Sequence, residues 1–246
     1  MKLDILAIGV HPDDVELGCS GTLINEIKNG KKSGIVDLTQ GELGTRGTID
    51  TRYEEAAEAA KIIGVAVREN LKMRDGFFEN DEESKLKLIT AIRKYQPQIV
   101  IGNVLHDRHP DHGRAGKLIA DACFLAGLIK IETKDDKGNL QPRWRPSYVL
   151  HYIQDWYHEP DLLIDISDVF EQRMKAVAAY STQFHTSGPG SEEGVQTYIS
   201  TPDFLDSVVA RARMFGKRIG VKYAEGFISE KKIGIRGLDA LIQNET

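Results

Sequence analysis

A doubly wound α/β fold with a mostly parallel sheet, in one domain spanning residues 1–246, is predicted from three observations. Short apolar runs alternate with helical patterns along the first half of the chain. The runs are nearly continuous, as expected for strands covered on both faces. No internal repeat, low-complexity tract or Pro/Ser-rich linker divides the 246 residues, a length sufficient for one large core.

Residues 3–10 are mostly apolar and form the expected first strand. Residues 18–29 carry Leu23, Ile24 and Ile27 at helical spacing, with Gly30 as a C-cap. Residues 33–39 are the second strand, followed by a polar, glycine-rich loop over 40–48. Residues 51–63 form an alanine-rich helix stopped by Gly64, and 65–71 the third strand. Leu86, Ile89 and Ile92 share one face of a helix over 82–95. Residues 99–103 are the fourth strand, and 111–127 the next helix. Beyond it the pattern loosens. Residues 133–141 read as a charged turn, 148–153 and 162–166 as later strands, and 169–180 and 202–219 as helices. Residues 185–194 read as a flexible Gly/Ser loop.

The formal charge of −5 argues against electrostatically driven nucleic-acid binding. Two distant cysteines, Cys19 and Cys123, offer no disulfide framework and suggest a reducing compartment. Residues 1–4 lead straight into a strand pattern without a signal-peptide shape, and no apolar run approaches the roughly 18–20 residues of a membrane span. A cytoplasmic protein that engages neither membrane nor nucleic acid is expected.

Two acidic histidine clusters dominate the chain: His11-Pro12-Asp13-Asp14 and His109-Pro110-Asp111-His112. Each follows a predicted strand. In the common order 3-2-1-4, strands one and four are neighbours, and the crevice beyond their carboxyl ends is the topological switch point. Topology alone therefore brings the clusters together. A catalytic zinc takes about three protein ligands and keeps one position open. His11, Asp14 and His112 can supply three. Asp13 remains free to accept a proton from water and return it to a leaving amine. A positively charged His109, with Asp111 raising its basicity, would stabilise a tetrahedral oxyanion. The pattern points to metal-assisted amide hydrolysis. Such residues also cap helices at strand–helix junctions. Capping explains either cluster alone more readily than it explains both facing one crevice.

These residues resemble the LmbE-like, or PIG-L, deacetylase family. The match comprises residues 11–18 (HPDDVELG) and 109–112 (HPDH). Residues 37–48, Asp107-Arg108, residues 214–217 and residues 223–227 extend it towards the bacillithiol-biosynthesis deacetylase branch. The resemblance implies a Rossmann-like fold and zinc-dependent removal of acetyl from an N-acetylglucosamine unit, with N-acetylglucosaminyl malate as the substrate of that branch. It implies zinc ligands at His11, Asp14 and His112, a base at Asp13, an oxyanion-stabilising histidine at His109 with Asp111 behind it, and a sugar contact at Arg52. It also implies a homo-oligomer, trimer or hexamer. An aromatic of the active-site mouth falls at Phe204 or the nearby Tyr198, and Tyr198 is carried forward as a substrate contact.

Malate carries two carboxylates, which arginine binds bidentately. Arg46, Arg52, Arg108 and Arg114 crowd the loops expected at the crevice, and the first three are candidate substrate contacts. The loop at 41–47 lacks the Lys-Ser/Thr ending of a phosphate-binding loop. Cys19 is either a further ligand or a small core side chain. His151, His158 and His185 are single histidines, of which His185 could approach substrate. Trp156 and Tyr157, with Tyr152 nearby, suit a subunit contact or a sugar face. His₂Asp suits Zn²⁺, and Fe²⁺, Co²⁺ or Mn²⁺ fit similar ligands. The competing readings are a deacetylase of another N-acetyl amino sugar, such as a chito-oligosaccharide, glycolipid or antibiotic precursor, and a non-hydrolytic nucleotide-binding module. The latter expects Gly-x-Gly-x-x-Gly after strand one, where this chain has His-Pro-Asp-Asp.

Overall fold

In the computed structural model, residues 1–184 and 195–238 are described. Seven strands form one sheet in the order β3-β2-β1-β4-β5-β7-β6. They are β1 (Ile5–Gly9), β2 (Ser33–Thr39), β3 (Val67–Met73), β4 (Ile99–Asn103), β5 (Tyr148–Tyr152), β6 (Leu162–Asp165) and β7 (Ala224–Ser229). The first five run parallel, and β7 is antiparallel to both β5 and β6. The expected 3-2-1-4 order is present, and β1 lies between β2 and β4.

Why the first strand reads as an unbroken apolar run is visible in its packing. Leu6 and Ile8 enter one core layer with Leu88, Ile92, Leu118 and Ile119. Ile5 and Ala7 enter the opposite layer with Val15, Leu23, Ile24 and Ile35. Successive side chains point to opposite faces, and helices cover both.

The helices are α1 (Asp14–Gly18), α2 (Ser20–Lys28), α3 (Ile49–Ile63), α4 (Glu82–Tyr95), α5 (Pro110–Leu125), α6 (Phe170–Ala178) and α7 (Pro202–Arg218). α3 opens on a Thr48–Thr51 capping box and ends at Gly64, which takes φ 88°, the left-handed C-cap its position predicted. α5 begins with Pro110 at its first position, where the missing N–H is harmless. Gly116 lets α5 lie against the end of β4: a Cβ there would sit 2.7 Å from the carbonyl oxygens of Asn103 and Val104.

Three expectations shift. The helix expected over 18–29 is two helices, broken at Cys19 and starting earlier, at Asp14. β3 ends at Met73, two residues beyond the expected strand. β7 was not expected as a strand, because Ala-Glu-Gly-Phe has neither an apolar run nor alternation long enough to read. Among the described residues, no helix is long and apolar enough to cross a membrane.

Candidate active site

The carboxyl ends of β1, β2, β4 and β5 open into a cavity of 480 Å³, within the usual range of small-molecule sites, about 300–1,000 Å³. His11, Asp13, Asp14, His109 and His112 all line it. The two clusters, a hundred residues apart in sequence, meet as topology predicted. The His11 and His109 rings are 4.8 Å apart between centroids, and those of His109 and His112 are 5.1 Å apart.

Asp14 sits at the centre. Its Oδ2 accepts from the backbone N–H groups of Val10 and His11, both at 3.0 Å, and from Asn103 Nδ2 at 3.3 Å. Gln154 Nε2 donates to its Oδ1 at 2.8 Å. Burial alone would raise its pKa. The charge of His112 and the hydrogen bonds of His11 and His112 hold it well below the usual carboxylate range.

His11 Nδ1 lies 3.6 Å from Asp14 Oδ2, and His112 Nε2 lies 3.3 Å from Asp14 Oδ1. Ligands about 2.0–2.2 Å from a tetrahedral ion are separated by about 3.3–3.6 Å, so these atoms have the spacing such an ion requires. The opposite nitrogen of each ring is held by a carboxylate. His11 Nε2 meets Asp75 Oδ1 at 3.0 Å, and His112 Nδ1 meets Asp107 Oδ2 at 2.7 Å. A carboxylate on the far nitrogen fixes the tautomer and raises the basicity of a metal-binding histidine. Burial lowers both imidazole pKa values, but the surrounding carboxylates outweigh it. They lift His11 well above its usual range and His112 to about 9. Among the described residues, two histidine-containing groups have donor atoms within 4.8 Å of one another: His11, His109 and His112, and His11, Asp75 and Asp111. The donor chemistry therefore fits a divalent cation. Cys19 takes no part in it; the thiol lies buried in the core and burial pushes its pKa up.

Asp13 sits at the entrance to α1 with φ 139°, a strained conformation for a residue with a side chain. Burial pushes its carboxyl pKa up to about 7, against the pull of the Arg52 guanidinium 3.5 Å away. Arg52 is itself buried, and its Nε and Nη1 have no hydrogen-bond partner among the described residues.

His109 differs from expectation. Burial, reinforced by the charges of His11 and His112, depresses its pKa to about 4. That shift favours the neutral imidazole. Its Nδ1 accepts from the backbone N–H of Asp111 at 3.3 Å, so the proton resides on Nε2. The Asp111 carboxylate does not back His109. It accepts from Gly76 N–H at 2.9 Å and from Arg114 at 2.7 Å, and lies 3.8 Å from His11 Nε2. The rotamer turns that carboxylate towards the Gly76 turn, leaving only its backbone N–H for His109.

The arginines expected at the substrate are largely engaged. Arg108 pairs with Asp155, and its guanidinium lies 4.1 Å over the Tyr198 ring. The Tyr198 hydroxyl donates to the same carboxylate at 3.1 Å. Arg46 gives its Nε to the carbonyl of Thr182 at 2.7 Å. Arg114 braces Asp111 and the Gly76 carbonyl. Arg46, Arg52, Arg108, Tyr198 and Phe204 all line the cavity. The remaining single residues have structural partners. His151 bridges the Asn103 carbonyl and Glu230, His158 meets the His106 carbonyl, Tyr152 is buried in the core, and Trp156 packs on His106. His185 lies outside the described residues.

Sequence reasoning missed Asp75, Gln154 and Asp155, and gave Asp107 no role. Asp75 and Gln154 follow β3 and β5 at the same sheet edge, so the crevice argument applied to strands one and four would have reached them too.

Residues 6–123 match the family described as PIG-L, GlcNAc-PI de-N-acetylase. A diacetylchitobiose deacetylase of Thermococcus kodakarensis is 31% identical over 232 residues, covering 90% of this chain and 81% of that protein. A probable N-acetyl-alpha-D-glucosaminyl L-malate deacetylase 2 of Bacillus subtilis is 26% identical, covering 74% and 84%. The crystal structure of the conserved protein TT1542 from Thermus thermophilus superposes with a TM-score of 0.83 at 36% identity, covering 95% of this chain and 97% of that one. The expected bacillithiol branch is among these relatives, and identity is higher to the chitobiose enzyme.

Proposed function

The chain belongs to the PIG-L family, and from that premise we propose that it is a metal-dependent hydrolase removing acetyl from an N-acetylglucosamine unit of a neutral saccharide of the diacetylchitobiose type. The reaction class is supported by the convergence of both histidine–acid clusters on one cavity, with a carboxylate behind each ligating histidine. His11, Asp14 and His112 would hold the ion, a donor set that suits Zn²⁺ and that Fe²⁺ or Co²⁺ also accept. When bound, such an ion would supply Lewis acidity, lowering the pKa of a water towards neutrality.

The chain's own residues do the rest. Asp13, with a pKa of about 7, is poised to take a proton from water and return it to the departing nitrogen. Neutral His109 offers its Nε2 proton to the carbonyl oxygen as negative charge grows there. Arg52, on the cavity wall beside Asp13, would contact sugar hydroxyls.

The neutral substrate is favoured by the pairing of the cavity arginines. A malate conjugate brings two carboxylates. Arg108 is already neutralised by Asp155, Arg52 stands beside Asp13, and Arg46 is tied to a backbone carbonyl. Purified protein would be given N,N'-diacetylchitobiose and, separately, N-acetylglucosaminyl malate, and acetate and free amine would be followed with and without chelator. Chelator-sensitive release is expected from both, with the larger kcat/KM for the chitobiose. Preference for the malate conjugate refutes the neutral substrate. No acetate from either refutes the activity.

A further inference from the structure

The cavity has a deep end and a mouth. Asp13, Asp14 and Asp75 line it and are buried, so an acetamido group that reaches them leaves the rest of its sugar conjugate towards the outer wall. Arg108, Asp155 and Tyr198 stand on that wall, and Tyr198 is 53% exposed. Among the described residues, Asp155 is the one carboxylate lining the cavity that is not buried; 16% of its side chain is exposed. Its two oxygens have separate partners. Oδ2 accepts from Arg108 Nε, and Oδ1 accepts from the Tyr198 hydroxyl at 3.1 Å. The guanidinium lies over the Tyr198 ring, 4.1 Å from its centroid. The backbone beside the pair is tied as well. Asp107, just before Arg108, accepts at 2.8 Å from the N–H of Trp156, just after Asp155. Arg108 and Asp155 are thus held opposite each other from two loops.

A carboxylate so placed acts twice on an incoming ligand. It offsets the charge of Arg108, and it repels a second carboxylate. Arg108 would otherwise suit an acid, since guanidinium and carboxylate pair bidentately. We propose that Asp155 is a specificity-determining residue, whose charge makes the cavity disfavour conjugates with a negatively charged aglycone, an assignment that rests on the deacetylase reading above. An asparagine side chain has one acceptor oxygen and no charge. It cannot hold Arg108 Nε and the Tyr198 hydroxyl on separate oxygens, so it frees the guanidinium. Asp155→Asn therefore turns the same cavity towards acidic conjugates, with Asp13 and the three metal ligands unaltered.

The test compares Asp155→Asn with the unmodified enzyme on N-acetylglucosaminyl malate and its dimethyl ester. The two substrates share sugar and linkage and differ by two negative charges. The acid-to-ester ratio of kcat/KM for amine release is expected to rise about tenfold in the variant. Asp155→Ser, which also lacks the charge, should shift the ratio in the same direction. A ratio that fails to rise in either variant, whatever happens to the separate rates, would mean that Asp155 only braces Arg108 and Tyr198, and overturns the assignment. Calorimetry on the zinc-loaded protein supplies a readout independent of turnover, with glucosaminyl malate and its dimethyl ester as ligands. There Asp155→Asn should raise the acid-to-ester affinity ratio by the same factor. A constant ratio, or no binding of the ester by either protein, overturns the assignment as well. If the affinities shift as expected but no substrate releases acetate, the deacetylase reading fails and the role of Asp155 stands. If the unmodified enzyme prefers the malate conjugate to diacetylchitobiose, the neutral substrate fails, and the change in the acid-to-ester ratio still decides for or against Asp155.

Discussion

Replacing Asp13 with Asn should separate activity from stability, moving them in opposite directions. The carboxyl is 4% exposed, and burial lifts its pKa from 3.8 to about 7. Between those values the folded protein binds more protons at this site than the unfolded chain. Stability contributed by the site is therefore present below about pH 4 and is lost as pH rises through 7. The loss amounts to about 4 kcal/mol at completion, as an order of magnitude. Asn shares the tolerance of Asp for positive φ, so the strain at φ 139° is retained. In chelator-treated protein, Asp13→Asn should match the unmodified chain near pH 4 and become progressively more stable than it up to pH 8. At about 2–4 °C per kcal/mol for a chain of this size, the difference in melting temperature approaches roughly 10 °C. Turnover by the metal-loaded variant should fall about 10²–10⁴-fold, the usual contribution of a positioned base. Melting curves across pH and acetate release at saturating substrate measure the two effects. A stability difference that does not grow with pH, or a rate within tenfold of the original, would refute both the buried carboxyl and its role.

Three further outcomes follow from the same geometry. Arg52→Gln removes the cation that holds Asp13 down, so the acid limb of the kcat/KM–pH profile should move above 7 while metal content stays constant; an unmoved limb contradicts the Arg52–Asp13 coupling. Asp107→Asn should weaken metal affinity about 10–100-fold in a chelator competition, because His112 loses the carboxylate charge on its far nitrogen; unchanged affinity contradicts that support. Gly116→Ala should destabilise the fold by about 1–3 kcal/mol in urea unfolding, since its Cβ meets two backbone carbonyls; a neutral substitution would mean that α5 shifts freely on β4.

The central layout was legible because it depends on patterns that survive in one dimension. The apolar runs of β1 and β4 required two covered faces, and two histidine–acid clusters stood at their ends. What stayed hidden depends on side-chain direction or on isolated residues. Asp111 could face either His109 or the Gly76 turn, and only its rotamer decides. The charge of His109 depends on burial beside two other imidazoles, which spacing does not reveal. Arg108 looked free until Asp155, 47 residues later, neutralised it. Asp75 and Gln154 belong to no motif. Each is one polar residue beyond a strand, and the folded sheet edge gives it significance.

The shared metal centre is tested most directly by crystals of the protein loaded with Zn²⁺, with anomalous scattering recorded on both sides of the zinc absorption edge. One peak per chain is expected, bounded by His11 Nδ1, Asp14 and His112 Nε2, with Asp13 outside the coordination sphere. A peak instead among His11 Nε2, Asp75 and Asp111, or none in a protein that releases acetate, would contradict the division of labour between the two clusters.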